Sequence, residues 1–148
     1  MRTGLDTVKR FRKEQLDEKV QELHEASMQL DSEEKTLDDI KAARAACGES
    51  MRGGSKGTLD MDSIMMRYQY GQFLDGEAEE QVVKIDRARG FVDIKKAEVL
   101  EASIESKIMD KAVEKRLAKL SKEEARRERK FLDDISATQY RKRQRETA

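Results

Sequence analysis

Hydrophobic residues recur every seven positions in two long stretches of the chain. In the first stretch one column consists of leucines, with Val20 four residues after the first of them: Leu16, Leu23, Leu30 and Leu37. Its companion column is partly polar, at Ser27, Glu34 and Lys41. Heptad spacing is typical of a coiled-coil helix. The pattern predicts a first helix from about Asp6 to Ala46, in which a four-residue stutter near Leu5 locally relaxes the supercoil.

A longer column follows, with strict spacing of seven, at Ile64, Gly71, Ala78, Ile85, Val92, Val99, Ser106, Val113 and Leu120. Val82 and Leu117 fall in its companion column. No Pro interrupts this stretch, because the chain contains none. Thr58 or Asp60 can cap its start. The column therefore predicts a second helix that extends from about Asp60 to Arg143.

Glycines cluster between the two columns. Four of the eight glycines lie in residues 47–57, and each costs a helix roughly 1 kcal/mol relative to Ala. The chain therefore divides into an N-terminal coiled-coil helix at 1–47, a Gly-rich connector at 48–58 and a long second helix at 59–148.

Folding back at this connector gives an all-α fold, a long antiparallel two-helix coiled-coil hairpin. The predicted register places Leu16 near Arg89, Leu30 near Asp75 and Leu5 near Leu100. Pairing to about Ala102 leaves a basic C-terminal helix that overhangs. The residues expected in the seam between the helices are Leu16, Val20, Leu23, Leu30, Leu37, Ile64, Ala78, Val82, Ile85, Val92 and Val99.

Composition favours thin helices over a globule. Charged residues make up 42% of the 148 residues and hydrophobic residues 36%, which leaves little to fill a wide core. No apolar run approaches the ~20 residues of a membrane span, and the one cysteine fits a reducing compartment. We therefore expect a cytosolic chain without direct membrane insertion.

Charge is unevenly distributed although the 31 acidic and 31 basic residues cancel. Residues 14–39 hold ten acidic residues and two lysines, whereas residues 115–130 hold eight basic and three acidic residues. Two further basic clusters, at residues 2–13 and 141–145, lie on the side of a hairpin away from the connector. Each cluster alone is typical of a solvated helix face. Their joint placement predicts an acidic protein partner.

The sequence predicts no catalytic or metal site. The single histidine, His24, has no second His or Cys at ligand spacing. Residues 53–58 lack the order G-x-x-x-x-G-K-S/T of a phosphate-binding loop, and Cys47 is expected to be a passive small residue. A basic-leucine-zipper protein needs its basic block before the zipper, whereas residues 126–130 follow it. We expect no enzymatic activity, no cofactor and no nucleic-acid partner.

A stripe of large apolar residues lies outside the predicted seam near the hairpin tip. Met66, Tyr70 and Phe73 are spaced three and four apart, with Leu74 beside them and a weaker pair further along at Phe91 and Ile94. If the stripe faces water, its aromatic residues are typical anchors of a docking site. The alternative is that the seam is rotated here and that these residues form the core, because Gly71 fills a core poorly.

The heptad columns, the short connector and two segments together resemble the flagellar export protein FliJ family. The segments are Tyr68-Gln69-Tyr70-Gly71-Gln72-Phe73-Leu74 and Lys130-Phe131-Leu132-Asp133-Asp134-Ile135-Ser136-Ala137-Thr138. The resemblance implies a non-enzymatic component of the bacterial flagellar type III protein export apparatus, and so a role in flagellum biogenesis and chemotaxis. Such a protein acts as a central stalk of the export ATPase ring, links the ring to the export gate and escorts chaperones.

The partners that this resemblance implies are the flagellar export ATPase hexamer, the cytoplasmic domain of the membrane export gate and export chaperones. Docking on the gate is assigned to Met66, Tyr70, Phe73 and Leu74. The basic residues expected to contact the ATPase ring are Arg126, Arg127, Arg129, Lys130, Arg141 and Arg143. The implied location is the cytoplasm, with peripheral association with the flagellar basal body at the cell membrane.

Two alternatives to this assignment stay open on the sequence alone. A stalk protein of a virulence type III secretion system would show the same pattern. A generic cytosolic scaffold that homo-oligomerises through the long heptad column would also show it.

Overall fold

Two long helices account for nearly all of the described structure. A computed structural model describes residues 4–53 and 60–147, in which α1 spans Gly4–Gly53 and α2 spans Met61–Thr147, with no strand in either range. Two compact units are distinguished: Gln15–Ala102, and Met1–Glu14 with Ser103–Ala148. In each unit α1 packs antiparallel against α2. The predicted all-α helical hairpin is confirmed.

The start of α2 carries the predicted cap. The backbone N–H of Asp62 donates a hydrogen bond to Oδ1 of Asp60 at 3.4 Å, and the N–H of Ile64 donates to the carbonyl oxygen of Asp60 at 3.2 Å. Asp60 therefore satisfies one of the amide groups that a helix start leaves without a partner. The alternative cap, Thr58, lies outside the described residues.

The end of α1 differs from the prediction, because the helix continues through Gly48 to Gly53. Helical Gly48 costs roughly 1 kcal/mol, and contacts of its neighbours on both sides with α2 offset this cost. Cys47 is buried against α2, with Sγ 3.4 Å from the carbonyl oxygen of Arg67. Nη1 of Arg67 donates to the carbonyl oxygen of Ser50 at 3.1 Å. The remainder of the predicted connector, residues 54–58, lies outside the described residues.

In the Gln15–Ala102 unit the seam follows two columns on each helix, three and four residues apart. The leucine column of α1 and the column from Ile64 to Val99 of α2 are buried or half-buried. The companion columns each lie three residues after these positions: Lys19, Ala26, Glu33, Ile40 and Cys47 on α1, and Arg67, Leu74, Gln81, Ala88, Lys95 and Ala102 on α2. Alternate steps of three and four keep both columns on one face.

Val20 and Val82 were expected in the seam and lie outside it. Their side chains are 47% and 46% exposed, because the companion columns run one residue earlier than the prediction placed them. A polar side chain, Lys19 or Gln81, occupies the seam position in each case. Long polar side chains fit there because partners on the facing helix satisfy them.

The pairing register also differs from the prediction. Asp75 was expected beside Leu30 and instead accepts a hydrogen bond from Nε of Arg44 at 2.9 Å. Arg89 was expected beside Leu16 and pairs with Glu34 at 3.4 Å. The shift is between two and three heptads along α1. It follows from the extension of α1 beyond Ala46, which moves the pairing of the helices toward higher residue numbers.

The Met1–Glu14 and Ser103–Ala148 unit pairs the start of α1 with the middle of α2. Nζ of Lys9 lies 3.6 Å from Oδ1 of Asp110, and Nη1 of Arg12 donates to Oε2 of Glu105 at 2.7 Å. The last buried side chain of α2 is Val113. Pairing therefore extends past the expected limit at Ala102, and all residues from 114 to 147 are helical and exposed.

Candidate interaction surfaces

Four charged side chains form a cluster across the helix pair in the Gln15–Ala102 unit. Nζ of Lys95 donates to Glu22 at 3.0 Å and to Glu98 at 3.3 Å. Nζ of Lys19 donates to the same two carboxylates, each at 3.4 Å. Lys95 also lies 5.2 Å from the centre of the Phe91 ring, which is within range of a cation–π contact. The cluster alternates in sign and spans both helices.

The hydrogen bonds of this cluster shift the pKa values of three members. The hydrogen bond from Lys95 lowers the pKa of Glu22. The hydrogen bond to Glu22 raises the pKa of Lys95, and the same partner raises the pKa of Lys19. All three groups therefore stay charged around neutral pH, and the cluster acts as a set of cross-helix ties.

Two further polar contacts lie in the seam itself. The amide of Gln81, whose side chain is 4% exposed, donates to the carboxylate of Glu33 and to its backbone oxygen, the latter at 2.9 Å. The guanidinium of Arg44 lies over Gly71, where an added Cβ would be 3.0 Å from Nη1. Gly71 thus provides the space through which Arg44 reaches Asp75, whose hydrogen bond raises the pKa of Arg44.

The aromatic patch, which we define as Met66, Tyr70 and Phe73, is exposed on α2. The rings of Tyr70 and Phe73 stack with centroids 6.5 Å apart and planes inclined by 21°. Stacking presents the two rings together, and one turn of helix separates Tyr70 from Met66. This part of the expected docking site is a contiguous apolar surface.

Leu74, which was assigned to the same docking site, belongs to the seam. Its side chain is only 6% exposed, whereas that of Phe73 is 58% exposed. Leu74 lies three residues after Gly71, at the companion position of the seam. The alternative in which the whole stripe forms the core therefore holds for Leu74, and the other three residues face water.

A basic face follows the unpaired part of α2. Each member has another three or four residues away, which places them on one side of the helix: Lys115, Lys119, Lys122, Arg126, Arg129 and Lys130. Of the other predicted ring contacts, Arg141 falls three turns after Lys130 on a similar side. Arg127 and Arg143 fall on other sides. All six predicted ring contacts are exposed.

The described part of the chain shows no arrangement typical of catalysis. No group of three or more His, Cys, Asp or Glu side chains within residues 4–53 and 60–147 is placed to hold a metal ion. His24 is exposed on α1, and Cys47 is a buried free cysteine. The groove around Glu34, Val82 and Arg89 is shallow and open to water.

Sequence reasoning missed the charged cluster and the Gln81 contact. Lys19 and Lys95 of the cluster, and both Glu33 and Gln81, lie at companion positions, and hydrophobic spacing does not identify polar residues there. The available signal was positional, because Lys19 and Glu33 lie two heptads apart on α1, as Gln81 and Lys95 do on α2. The identity of their partners depends on the register, which the spacing within one helix does not determine.

Among the described residues, no helix is both long and apolar enough to cross a membrane. No significant match was found among curated proteins or among solved structures. The model of the FliJ family, described as flagellar FliJ protein, matches residues 1–145. This match covers nearly the whole chain. The chain therefore belongs to the flagellar FliJ protein family, whose members are components of the flagellar export apparatus.

Proposed function

We propose that this protein is a non-enzymatic stalk that links the export ATPase ring to the export gate and escorts export chaperones. The family match over residues 1–145 carries the proposal. It also favours the flagellar apparatus over a virulence secretion system. The proposed location is the cytoplasm, at the flagellar basal body beside the cell membrane.

The end of α2 is the part that enters the ATPase ring in this proposal. Residues 114–147 form a helix with no partner from α1, and at ~1.5 Å per residue they span about 50 Å. The basic face gives this segment a positive surface that an acidic ring lumen would attract. A single helix is also narrow enough to enter a central opening.

The aromatic patch is the part that docks on the gate. Met66, Tyr70 and Phe73 are exposed, and aromatic side chains carry a large share of binding energy in protein interfaces. The patch lies in the Gln15–Ala102 unit, and the basic face lies in the other unit. Ring and gate binding therefore depend on separate surfaces. Escort of chaperones rests on family membership alone.

Ring binding is tested by charge reversal on the basic face. The variant Arg126→Glu/Lys130→Glu should weaken binding of the purified chain to the export ATPase by at least about tenfold, because each reversal opposes an acidic lumen. The matched control is Lys84→Glu/Arg87→Glu, which reverses two residues of the Gln15–Ala102 unit. Equal binding by wild type and the first variant would refute the proposed role of the basic face.

Gate binding is tested on the aromatic patch. The variant Tyr70→Ala/Phe73→Ala should reduce binding to the cytoplasmic domain of the gate by about tenfold or more while leaving ATPase binding unchanged. Leu100→Ala, another exposed apolar residue of the same unit, is the control and should bind normally. Gate binding that is unaffected by the loss of both rings would show that the patch is not the docking site.

A further inference from the structure

The seam of the Gln15–Ala102 unit is built of layers, in each of which one residue of α1 meets one residue of α2. Arg44 lies over Gly71 in one of these layers. Steps of seven from this pair lead to three aliphatic layers: Leu37 with Ala78, Leu30 with Ile85 and Leu23 with Val92. All six residues of these layers are buried or half-buried. The aliphatic part of the seam thus repeats with a period of one heptad.

These aliphatic layers do not define a unique register. In what we call the displaced register, each residue of α1 meets the residue of α2 that lies one heptad later. The aliphatic layers would then be Leu23 with Val99, Leu30 with Val92 and Leu37 with Ile85. Each leucine would again meet an aliphatic residue, and Leu37 would exchange Ala78 for a larger partner. Because burial of apolar surface is non-directional, these layers favour the two registers about equally.

A polar contact in the seam distinguishes the two registers. In the observed register the amide of Gln81 donates to the carboxylate and to the backbone oxygen of Glu33. The displaced register would separate these residues and set Gln81 against Ile40 and Glu33 against Ala88. Gln81 is buried, and burial of an amide away from its hydrogen-bond partner is unfavourable. This contact therefore favours the observed register.

A second polar contact depends on a gap at Gly71. An added Cβ there would lie 3.0 Å from Nη1 of Arg44, so the guanidinium passes α2 where a side chain is missing. Beyond the gap, Nε of Arg44 donates to Oδ1 of Asp75 at 2.9 Å. The displaced register would set Arg44 against Ala78, whose Cβ fills the gap, and Val82 would take the place of Asp75. This contact is available in the observed register only.

We propose that these two contacts form a register lock, which selects one of two registers that the aliphatic layers allow. The ion pairs of the charged cluster are partly exposed and add less to this selection. Without the lock, α2 would be free to slide along α1 by one heptad, which is about 10 Å. The aromatic patch would move with it. The register lock goes beyond the stalk proposal and does not depend on it.

Moving the register lock by one heptad tests the proposal. Three exchanges between residues seven apart on α2 transfer the gap, the carboxylate and the amide to the positions that face Arg44 and Glu33 in the displaced register. The amino-acid composition stays the same. The six substitutions are Gly71→Ala, Ala78→Gly, Asp75→Val, Val82→Asp, Gln81→Ala and Ala88→Gln. This exchanged variant should fold in the displaced register.

The distance between two spin labels, measured by electron paramagnetic resonance, reports the register. Labels at Asp39→Cys and Leu100→Cys occupy exposed positions of the two helices, in a Cys47→Ala background that leaves no other thiol. In the observed register Asp39 is level with Gly76, so about 24 residues of α2, or about 36 Å, separate the labels along the helix axis. The exchanged variant should shorten this separation by about 10 Å.

The matched control makes two exchanges of the same kind on the outer side of α2, away from α1. Its substitutions are Gly76→Val, Val83→Gly, Glu80→Arg and Arg87→Glu. All four residues are exposed, and a Cβ added at Gly76 would meet nothing within 4 Å. The label distance should therefore equal that of the wild-type seam. A control that also shortens the distance would show that the register does not depend on the lock, and the proposal would be wrong.

A second variant removes the register lock without moving it. Glu33→Leu/Arg44→Leu/Gln81→Leu makes the seam aliphatic at these three positions, so the longer and the shorter distance should appear together in one sample. Circular dichroism identifies the variants that fold, and if the exchanged variant does not, the leucine variant decides alone. A single distance equal to that of the wild-type seam in either folded variant would overturn the proposal.

Discussion

The position of the seam is tested by truncating Ile85 and Val82, two aliphatic residues three positions apart on α2. Ile85 is 4% exposed, and truncation of a buried isoleucine to alanine costs about 2–5 kcal/mol. A two-helix interface surrounds each side chain with few neighbours, so we expect the lower limit, about 2 kcal/mol, for Ile85→Ala. Val82 is exposed, and Val82→Ala should change the free energy of unfolding by less than about 0.5 kcal/mol.

The assay is urea unfolding of the full chain, followed by circular dichroism at the helix band. The free energy of unfolding should depend on urea concentration with a similar slope in all variants. Ile85→Ala should then move the unfolding midpoint to a lower urea concentration, and Val82→Ala should leave it in place. In a thermal scan the first variant should lose about 4–8 °C. Equal losses, or a larger loss for Val82→Ala, would refute the observed companion column and favour the column that hydrophobicity alone predicted.

The charged cluster, the buried thiol and the helix cap each give a further expectation. The contribution of Glu22, whose pKa is lowered, is fully present above the value of about 4.3 for an unfolded glutamate and is lost as the pH falls through the lowered pKa. The contribution of Lys95, whose pKa is raised, is fully present below about 10.4 and is lost as the pH rises through the raised pKa. These two groups should therefore make the melting temperature fall at both low and high pH. If the melting temperature of Glu22→Gln falls as steeply at low pH as that of wild type, the expectation for Glu22 is wrong. Cys47 is buried, so a thiol reagent should label the folded chain at least about tenfold more slowly than the urea-unfolded chain; equal rates would show that the thiol is accessible. Asp60→Ala should lower the free energy of unfolding by about 1 kcal/mol, and an unchanged urea midpoint would show that the cap contributes nothing.

The apolar columns of the hairpin could be predicted from the sequence because a strict spacing of seven is a property of one helix alone. The leucine column of α1 and the column that contains Ile85 needed no knowledge of the facing helix. The companion columns could not be identified without knowledge of the facing helix. Lys19 and Gln81 lie in the seam because specific partners satisfy them, and hydrophobicity pointed instead to Val20 and Val82.

The register and the docking site were predicted only in part, because both depend on how the two helices pack against each other. Gly48 was expected to end α1, but packing of Cys47 and Ser50 against Arg67 extends the helix, and this shifts all pairs along the hairpin. At the tip, spacing identified the exposed Met66 and Tyr70. It could not separate Phe73 from its neighbour Leu74, because adjacent residues on a helix differ by only about 100° in direction.

Among the described residues, no side chain is fully buried, that is, less than 2% exposed to water. In a globular protein, completely enclosed side chains constrain volume closely, since the surrounding atoms cannot rearrange to fit another shape. Here each seam residue borders solvent, so a replacement of different size can extend outward. The consequence is evolutionary: homologous hairpins are free to diverge in residue identity provided that they keep the spacing of apolar positions and the cross-helix polar partners. Substitutions in such a lineage should be exchanges within a column, accompanied by paired changes at positions such as Glu33 and Gln81.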